Sequence, residues 1–280
     1  MAATRNKPAE VLLDLLRSVG RRGYRVRFLV ETGALFGFTE NQVRVTLSRL
    51  CARGLVETPE RGRYRLAQRT SAVNAFVERW REGESLTRPW APGCWRFAHL
   101  EAPPCAADRW ALDALGFREA RSGLWVRPDN LSLAPAALRR LGRSLGLSED
   151  TLFVAGRPDG DPVPPAWRAL WQPEARVAAQ RALLDRLRAS AARLPGLDQA
   201  EARLETFRIG GEAIHSLAKD PLLPPELIDT RARIDLREAM LAYDALGRAI
   251  WAQRDLTPAA RMPVPQLILN EVAEGHHAST

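Results

Sequence analysis

Apolar residues recur through the first eighty positions at helical spacing. Val11, Leu12, Leu15, Leu16 and Val19 make one stripe after Pro8, interrupted by Asp14 and Arg17, and predict a first helix. Phe28, Leu29, Leu35 and Phe36 predict a second that braces a third. In the third, Thr39 can cap the start, Val43, Leu47, Leu50 and Cys51 share one buried face, and Gly54 stops the helix. Leu55-Val56-Glu57-Thr58 and Arg63-Tyr64-Arg65-Leu66 then read as two short strands around Pro59-Glu60-Arg61-Gly62. A helix followed at once by a basic hairpin is the pattern of a winged helix-turn-helix, whose helix fits the major groove of DNA.

Beyond the hairpin the period changes twice. A connecting helix over 70–81 carries Val73, Phe76, Val77 and Trp80 on one face, and Arg88-Pro89-Trp90-Ala91-Pro92-Gly93 marks a stiff boundary. Alternation then predicts strands at Trp95 to Leu100, Gly123 to Arg127 and Thr151 to Ala155, with a short one near Phe117. Helices fall around Asp108 to Leu115 and Ala134 to Leu145. The order β-α-β-β-α-β is that of a ferredoxin-like sandwich, with Trp95, Trp110 and Trp125 at core spacing. The proline-rich stretch from Gly160 to Pro165 makes a second boundary. From Gln172 to Trp251 the pattern is helical. One stripe holds Val177, Leu183, Leu184 and Leu187, a second helix covers Ala202 to Ala218, and a third carries Leu236, Met240, Tyr243, Leu246 and Ile250. Asp220 to Leu227, DPLLPPEL, is a proline-braced turn. The expected fold class is therefore α+β. A DNA-binding domain spans 1–88, a ferredoxin-like domain 89–165, a helical C-terminal domain for effector binding and dimerisation 166–261, and a mobile tail 262–280.

Charge placement sharpens the picture. The chain carries +8 with a pI near 10.3, which alone only hints at a polyanionic partner. Residues 1–88 hold 17 Lys/Arg against 9 Asp/Glu, whereas 89–280 hold 24 of each, so the whole excess sits on the helix-and-hairpin segment. Opposite the buried stripe of the third helix lie Asn41, Gln42, Val45, Ser48 and Arg49, with Arg44 on the shoulder. Arginine suits guanine, Asn or Gln suits adenine, and Val45 suits a thymine methyl. Arg61, Arg63 and Arg65 in the hairpin, with Arg21, Arg22, Arg25 and Arg27 upstream, suit phosphates.

Other chemistries find little footing. The polar first ten residues do not resemble a signal peptide, and no apolar run reaches membrane-spanning length, so a cytoplasmic protein without membrane contact is expected. Cys51, Cys94 and Cys105 form no CxxC, and His276 and His277 stand isolated, so neither disulfide nor metal site is expected. There is no GxSxG and no glycine-rich phosphate loop, and the expectation is a non-enzyme without cofactor or catalytic residues. Gly210-Gly211, inside a helical stretch, points to close helix packing. Trp167 and Trp171, one helical turn apart, are candidates to line an interdomain groove.

With these residues laid out, the chain resembles the PaaX family of bacterial repressors over about residues 8–253. Three segments carry the resemblance in family order. VRVTLSRLCARGLVE looks like the family's recognition helix and strand. WRFAHLEAP followed by LDALGFREARSGLWVRP matches its middle strands, and FRIGGEAIHSLAKDPLLPPEL matches its C-terminal segment. The resemblance implies a homodimeric winged-helix repressor of an aromatic-acid catabolic operon. Its operator would be a palindrome of double-stranded DNA, released when an aryl-coenzyme A thioester such as phenylacetyl-coenzyme A binds. Arg44, Ser48 and Arg49 match the DNA-reading helix, while Val45-Thr46 departs from the family's Thr-Ala, so the operator sequence is expected to differ. Arginines common in the family are replaced by Gly210-Gly211 and Ala218-Lys219. Trp171, Arg208, His215 and Lys219 remain as candidate effector contacts.

Two rivals stand beside this. The middle domain also resembles a small metal-dependent nuclease of CRISPR adaptation. That chemistry needs a paired carboxylate at the end of the first strand, where this chain offers Glu101 and then Ala102-Pro103. An architectural DNA binder would share the N-terminal domain but would not need the 192 residues beyond it.

Overall fold

The computed structural model describes residues 7–19, 22–68, 71–159 and 163–252. Chain contacts divide it into two compact units. Among the described residues the first holds those up to Val77, Asp185–His215 and those from Ala239 onward, and the second holds Glu78–Leu184 and Ser216–Glu238. Each unit thus gathers pieces distant in sequence, a division unlike the contiguous blocks that composition suggests.

In the first unit, α1 (Pro8–Val19), α2 (Val26–Leu35) and α3 (Glu40–Ala52) bury Val11, Leu12, Leu15, Leu16, Leu29, Val43, Leu47 and Leu50 in one core. Burying each such side chain fully is worth about 1.5–3 kcal/mol. The two charges that interrupt the first stripe are also inside. Arg17 donates to Asp14 at 2.8 Å and to Asn74 Oδ1 at 2.8 Å, so an i,i+3 ion pair is folded into the core with its partners satisfied. Gly33 is required where α2 meets α3, since a Cβ there would lie 2.6 Å from Val43 Cγ2.

After α3 come β2 (Val56–Glu60) and β3 (Arg63–Leu66), antiparallel, with a register shift between Glu57 and Glu60. A two-residue strand not foreseen from sequence, β1 (Tyr24–Arg25), pairs with β3 and makes the order β1-β3-β2. Of the expected helix over 70–81, Thr70 lies outside the described residues. The rest forms α4 (Ser71–Glu78) and a 3-10 turn at Arg79–Arg81.

The second unit centres on a four-stranded antiparallel sheet. β4 (Trp95–His99) is followed by α5 (Ala106–Ala114), β5 (Arg118–Arg121), β6 (Leu124–Pro128), α6 (Pro135–Ser144) and β7 (Leu152–Gly156). The strand order is β5-β6-β4-β7. Trp95, Trp110 and Trp125 are buried, as their spacing predicts. A short α7 (Pro165–Ala169), unforeseen, carries Trp167 to an edge-to-face contact with Trp95 at 5.0 Å.

Three long helices follow among the described residues: α8 (Pro173–Arg193), α9 (Gln199–Ala218) and α10 (Arg231–Ala252). In the first unit, Phe207 meets Phe36 edge-on at 4.8 Å, Ser190 and Tyr243 share a buried hydrogen bond of 2.7 Å, and Trp251 Nε1 donates to Thr206. Of the predicted α10 stripe, Leu236, Met240 and Tyr243 are buried, but Leu246 is exposed, because Asp244 and Gly247 occupy the inward positions. Among the described residues the chain is mixed α and β, with two small antiparallel sheets. No helix among the described residues is long and apolar enough to cross a membrane. The expected tail, with His276 and His277, lies outside them, as do Arg21 and residues 160–162 of the second boundary.

Candidate nucleic-acid interface

Both ends of α3 are fixed by hydrogen bonds. Thr39 Oγ1 accepts from the Gln42 backbone N–H at 3.2 Å, and Gln42 Oε1 accepts from the Thr39 N–H at 2.8 Å, closing a reciprocal cap. At the other end Gly54, with φ of 62°, lets its N–H reach Cys51 and lets Leu55 N–H reach Leu50. A helix pinned this way holds its outer face in fixed register. Asn41, Gln42, Arg44, Val45, Ser48 and Arg49 are all exposed on it, and Val45 is an exposed large hydrophobic of the described residues.

These side chains are not equally available. Arg44 donates to Glu40 at 2.7 Å, and the Gln42 oxygen is held by the cap, which leaves its NH2 group to meet a partner. Among the described residues Asn41, Ser48 and Arg49 make no side-chain hydrogen bond. Asn41 thus keeps both the donor and the acceptor that bidentate contact with adenine needs, whereas Gln42 does not.

The hairpin sorts its arginines likewise. Arg65 sits opposite Glu57 and donates to it at 2.6 Å. Arg63 pairs with Glu60 and also donates to the Arg22 and Gly23 carbonyls at 3.3 and 3.2 Å. Gly23 is itself a necessity, since with φ of 61° its Cβ would fall 2.2 Å from Tyr64 O. Arg63 therefore ties this link to β3, a structural duty that sequence did not suggest. The Arg63 guanidinium holds the Glu60 carboxyl below its ordinary range, with Arg25 adding to the effect. Arg61, exposed at the turn beside Gly62, forms no ion pair among the described residues. Arg22 and Arg25 are exposed nearby, and exposed Arg27 donates to Glu31 at 2.8 Å. Apart from the anchored Arg63, the surface thus holds exposed or half-buried ion pairs around a few uncommitted cations. Such pairs are worth about 0–1 kcal/mol and give way readily to phosphate.

The candidate effector contacts differ in their surroundings. Trp171 is a correction: it is 1% exposed, stacked on Trp95 at 6.1 Å, with its indole N–H donating to Gly116 O at 3.0 Å. Large apolar area and a satisfied N–H make it core. Trp167 also packs on Trp95 and Phe97. Arg208, exposed, pairs with Glu205 at 2.9 Å, and His215 is half-buried, both in the first unit; half-buried Lys219 belongs to the second. Glu101 is exposed, and among the described residues no three His, Cys, Asp or Glu converge as metal ligands would.

What sequence could have revealed earlier is the commitment of side chains. Thr39 and Gln42 stand at the spacing of a reciprocal cap, and Glu40 and Arg44 at that of an i,i+4 pair. The Arg63 link carried no such sign, since Arg22 and Gly23 lie 41 and 40 residues away in the chain.

No protein-family model matches the chain, and no curated protein matches it. Among solved structures it is similar to the uncharacterized protein Rv0674 from Mycobacterium tuberculosis, at 24% identity over 90% of this chain and 98% of that one, with a TM-score of 0.58. That likeness shows the fold alone.

Proposed function

We propose that this protein is a DNA-binding transcriptional regulator of the PaaX type, a homodimeric repressor whose operator is a palindrome of duplex DNA. In this reading α1 to α3 with the β1-β3-β2 sheet act as a winged helix-turn-helix. The β5-β6-β4-β7 sheet with α5 and α6 is a ferredoxin-like sandwich, whose β-α-β-β-α-β order it follows. The observation that carries the proposal is the outer face of α3: polar side chains with one exposed valine on a doubly capped helix, next to an arginine-tipped hairpin. Asn41, Ser48, Arg49 and Val45 read base edges, Gln42 donates from its NH2, and Arg44, Arg61 and Arg65 hold phosphates. Arg63 holds the hairpin in place more than it holds DNA.

An aryl-coenzyme A thioester is the proposed effector, on resemblance alone. Its binding shifts the fit of the two reading heads on adjacent half-sites. A coupling on the order of 1–3 kcal/mol would weaken operator affinity roughly 5–150-fold. The deciding experiment maps binding sites across the host genome and repeats the strongest site in vitro against scrambled competitor at ordinary ionic strength. Preferential binding is expected. Equal affinity for site and competitor would overturn the proposal. Sites beside an aromatic-acid degradation cluster would direct the effector screen to coenzyme A thioesters.

A further inference from the structure

β7 ends the four-stranded sheet, and among the described residues no strand pairs with its outer edge. Soluble proteins blunt such edges with lysine, proline or a short strand. β7 instead reads LFVAG without a charge or proline over five residues. Leu152 is 56% exposed and Val154 46%. Both lie on the sheet face that carries His99 and Phe97, their register partners in β4. Charge brackets the strand asymmetrically, with exposed Glu149 and Asp150 before it and exposed Arg157 after it.

We infer that β7 is a homodimer interface, pairing antiparallel with β7 of a second copy about a two-fold axis at Val154. Strand addition of this kind satisfies the open backbone groups, while pairing of alternate side chains sets specificity. In that register Leu152 lies opposite Gly156 of the second copy and Phe153 opposite Ala155, each large residue facing a small one, and the two Val154 side chains meet. Asp150 comes within one position of the second copy's Arg157, and the same contact recurs by symmetry, as in any isologous interface. A parallel pairing would put acid against acid. The two-fold contact serves the homodimer proposed above and rests on that part of the reading. Its test scores assembly and not DNA binding, so the two can fail separately.

Sedimentation velocity of the full chain should give a species of twice 31.1 kDa that shifts to the monomer on Val154→Asp, with an unchanged circular dichroism spectrum. Asp150→Arg should weaken the dimer at least several-fold, and adding Arg157→Asp in the same chain should restore it. Val154→Cys should give a disulfide-linked dimer on mild oxidation that wild type, with its own three cysteines, does not. A wild-type monomer at every concentration, a dimer indifferent to Val154→Asp, or a charge swap without rescue would each overturn the interface.

Discussion

Arginine does opposite work on the α3-hairpin surface and in the core of the second unit. On α3 and the hairpin it lies at the surface, either uncommitted, as in Arg49 and Arg61, or paired with a glutamate, as in exposed Arg44 and half-buried Arg65. Arg127 and Arg233 of the second unit stand inside, although Arg139 and Arg140 of the same unit are exposed. Arg127 is 2% exposed and donates to Leu115 O, Pro128 O, Asn130 Oδ1 and Pro221 O. Arg233 pairs with buried Asp220 at 3.2 Å and with Glu84 at 2.8 Å. Desolvation works against the charge on Arg127, and the array of acceptors is what holds it there. Net charge alone therefore says little about a partner. What matters is which guanidiniums are free to change theirs.

Removing an inner arginine should be the largest perturbation. Arg233→Ala leaves Asp220 with the Gln180 amide and the Leu222 N–H but without its ion-pair partner. Stripping one member from a buried pair costs about 3–5 kcal/mol, so thermal or urea unfolding should show a loss of that order. A change within about 0.5 kcal/mol would mean that Arg233 is wetter than its burial implies. An outer arginine should reverse the pattern. Arg49→Ala is expected to leave unfolding unchanged while weakening the preferred site by about 1–3 kcal/mol and relaxing its sequence preference. Equal losses on preferred and random DNA would remove Arg49 from base reading.

Between these extremes lies the frame that presents α3. Thr39→Ala deletes one half of the reciprocal cap and should cost about 0.5–2 kcal/mol in stability, read by urea unfolding, with affinity falling only through fraying of the first turn. The smallest effect separates two neighbours in the hairpin. Arg61→Ala should reduce the salt dependence of DNA binding by about 0.9 in log–log slope at unchanged stability. Arg63→Ala should lower stability and change that slope less. Identical behaviour of the two would mean that the ties to Arg22 and Gly23 do not hold in solution.

Much of this architecture was legible in the order of residues. Pro8, the stripes of α1 to α3, Thr39, Gly54 and the alternation of β4, β6 and β7 are local signals, and the elements formed where those signals lie. The outer face of α3 was legible for the same reason, since a fixed helical period puts Asn41, Ser48 and Arg49 opposite Val43 and Leu47. Less was legible wherever a side chain's partner lies far along the chain. Trp171 looked like a pocket wall and is core, because Trp95 and Gly116 come to meet it. Asp14 and Arg17 interrupt the first apolar stripe and yet are buried, because each is within reach of the other and Asn74 arrives from α4.

Local periodicity and turn chemistry, then, determined the helices and strands other than β1 and α7, since those depend on neighbours a few positions apart, and the order of residues alone put the excess of positive charge in the first 88 residues. Tertiary structure alone decided which arginines are spent on carbonyls and carboxylates and which remain to meet a ligand, and which pieces of the chain share a core. Those outcomes depend on desolvation and hydrogen-bond partners brought together across tens to over a hundred residues, and no spacing rule in one dimension contains them.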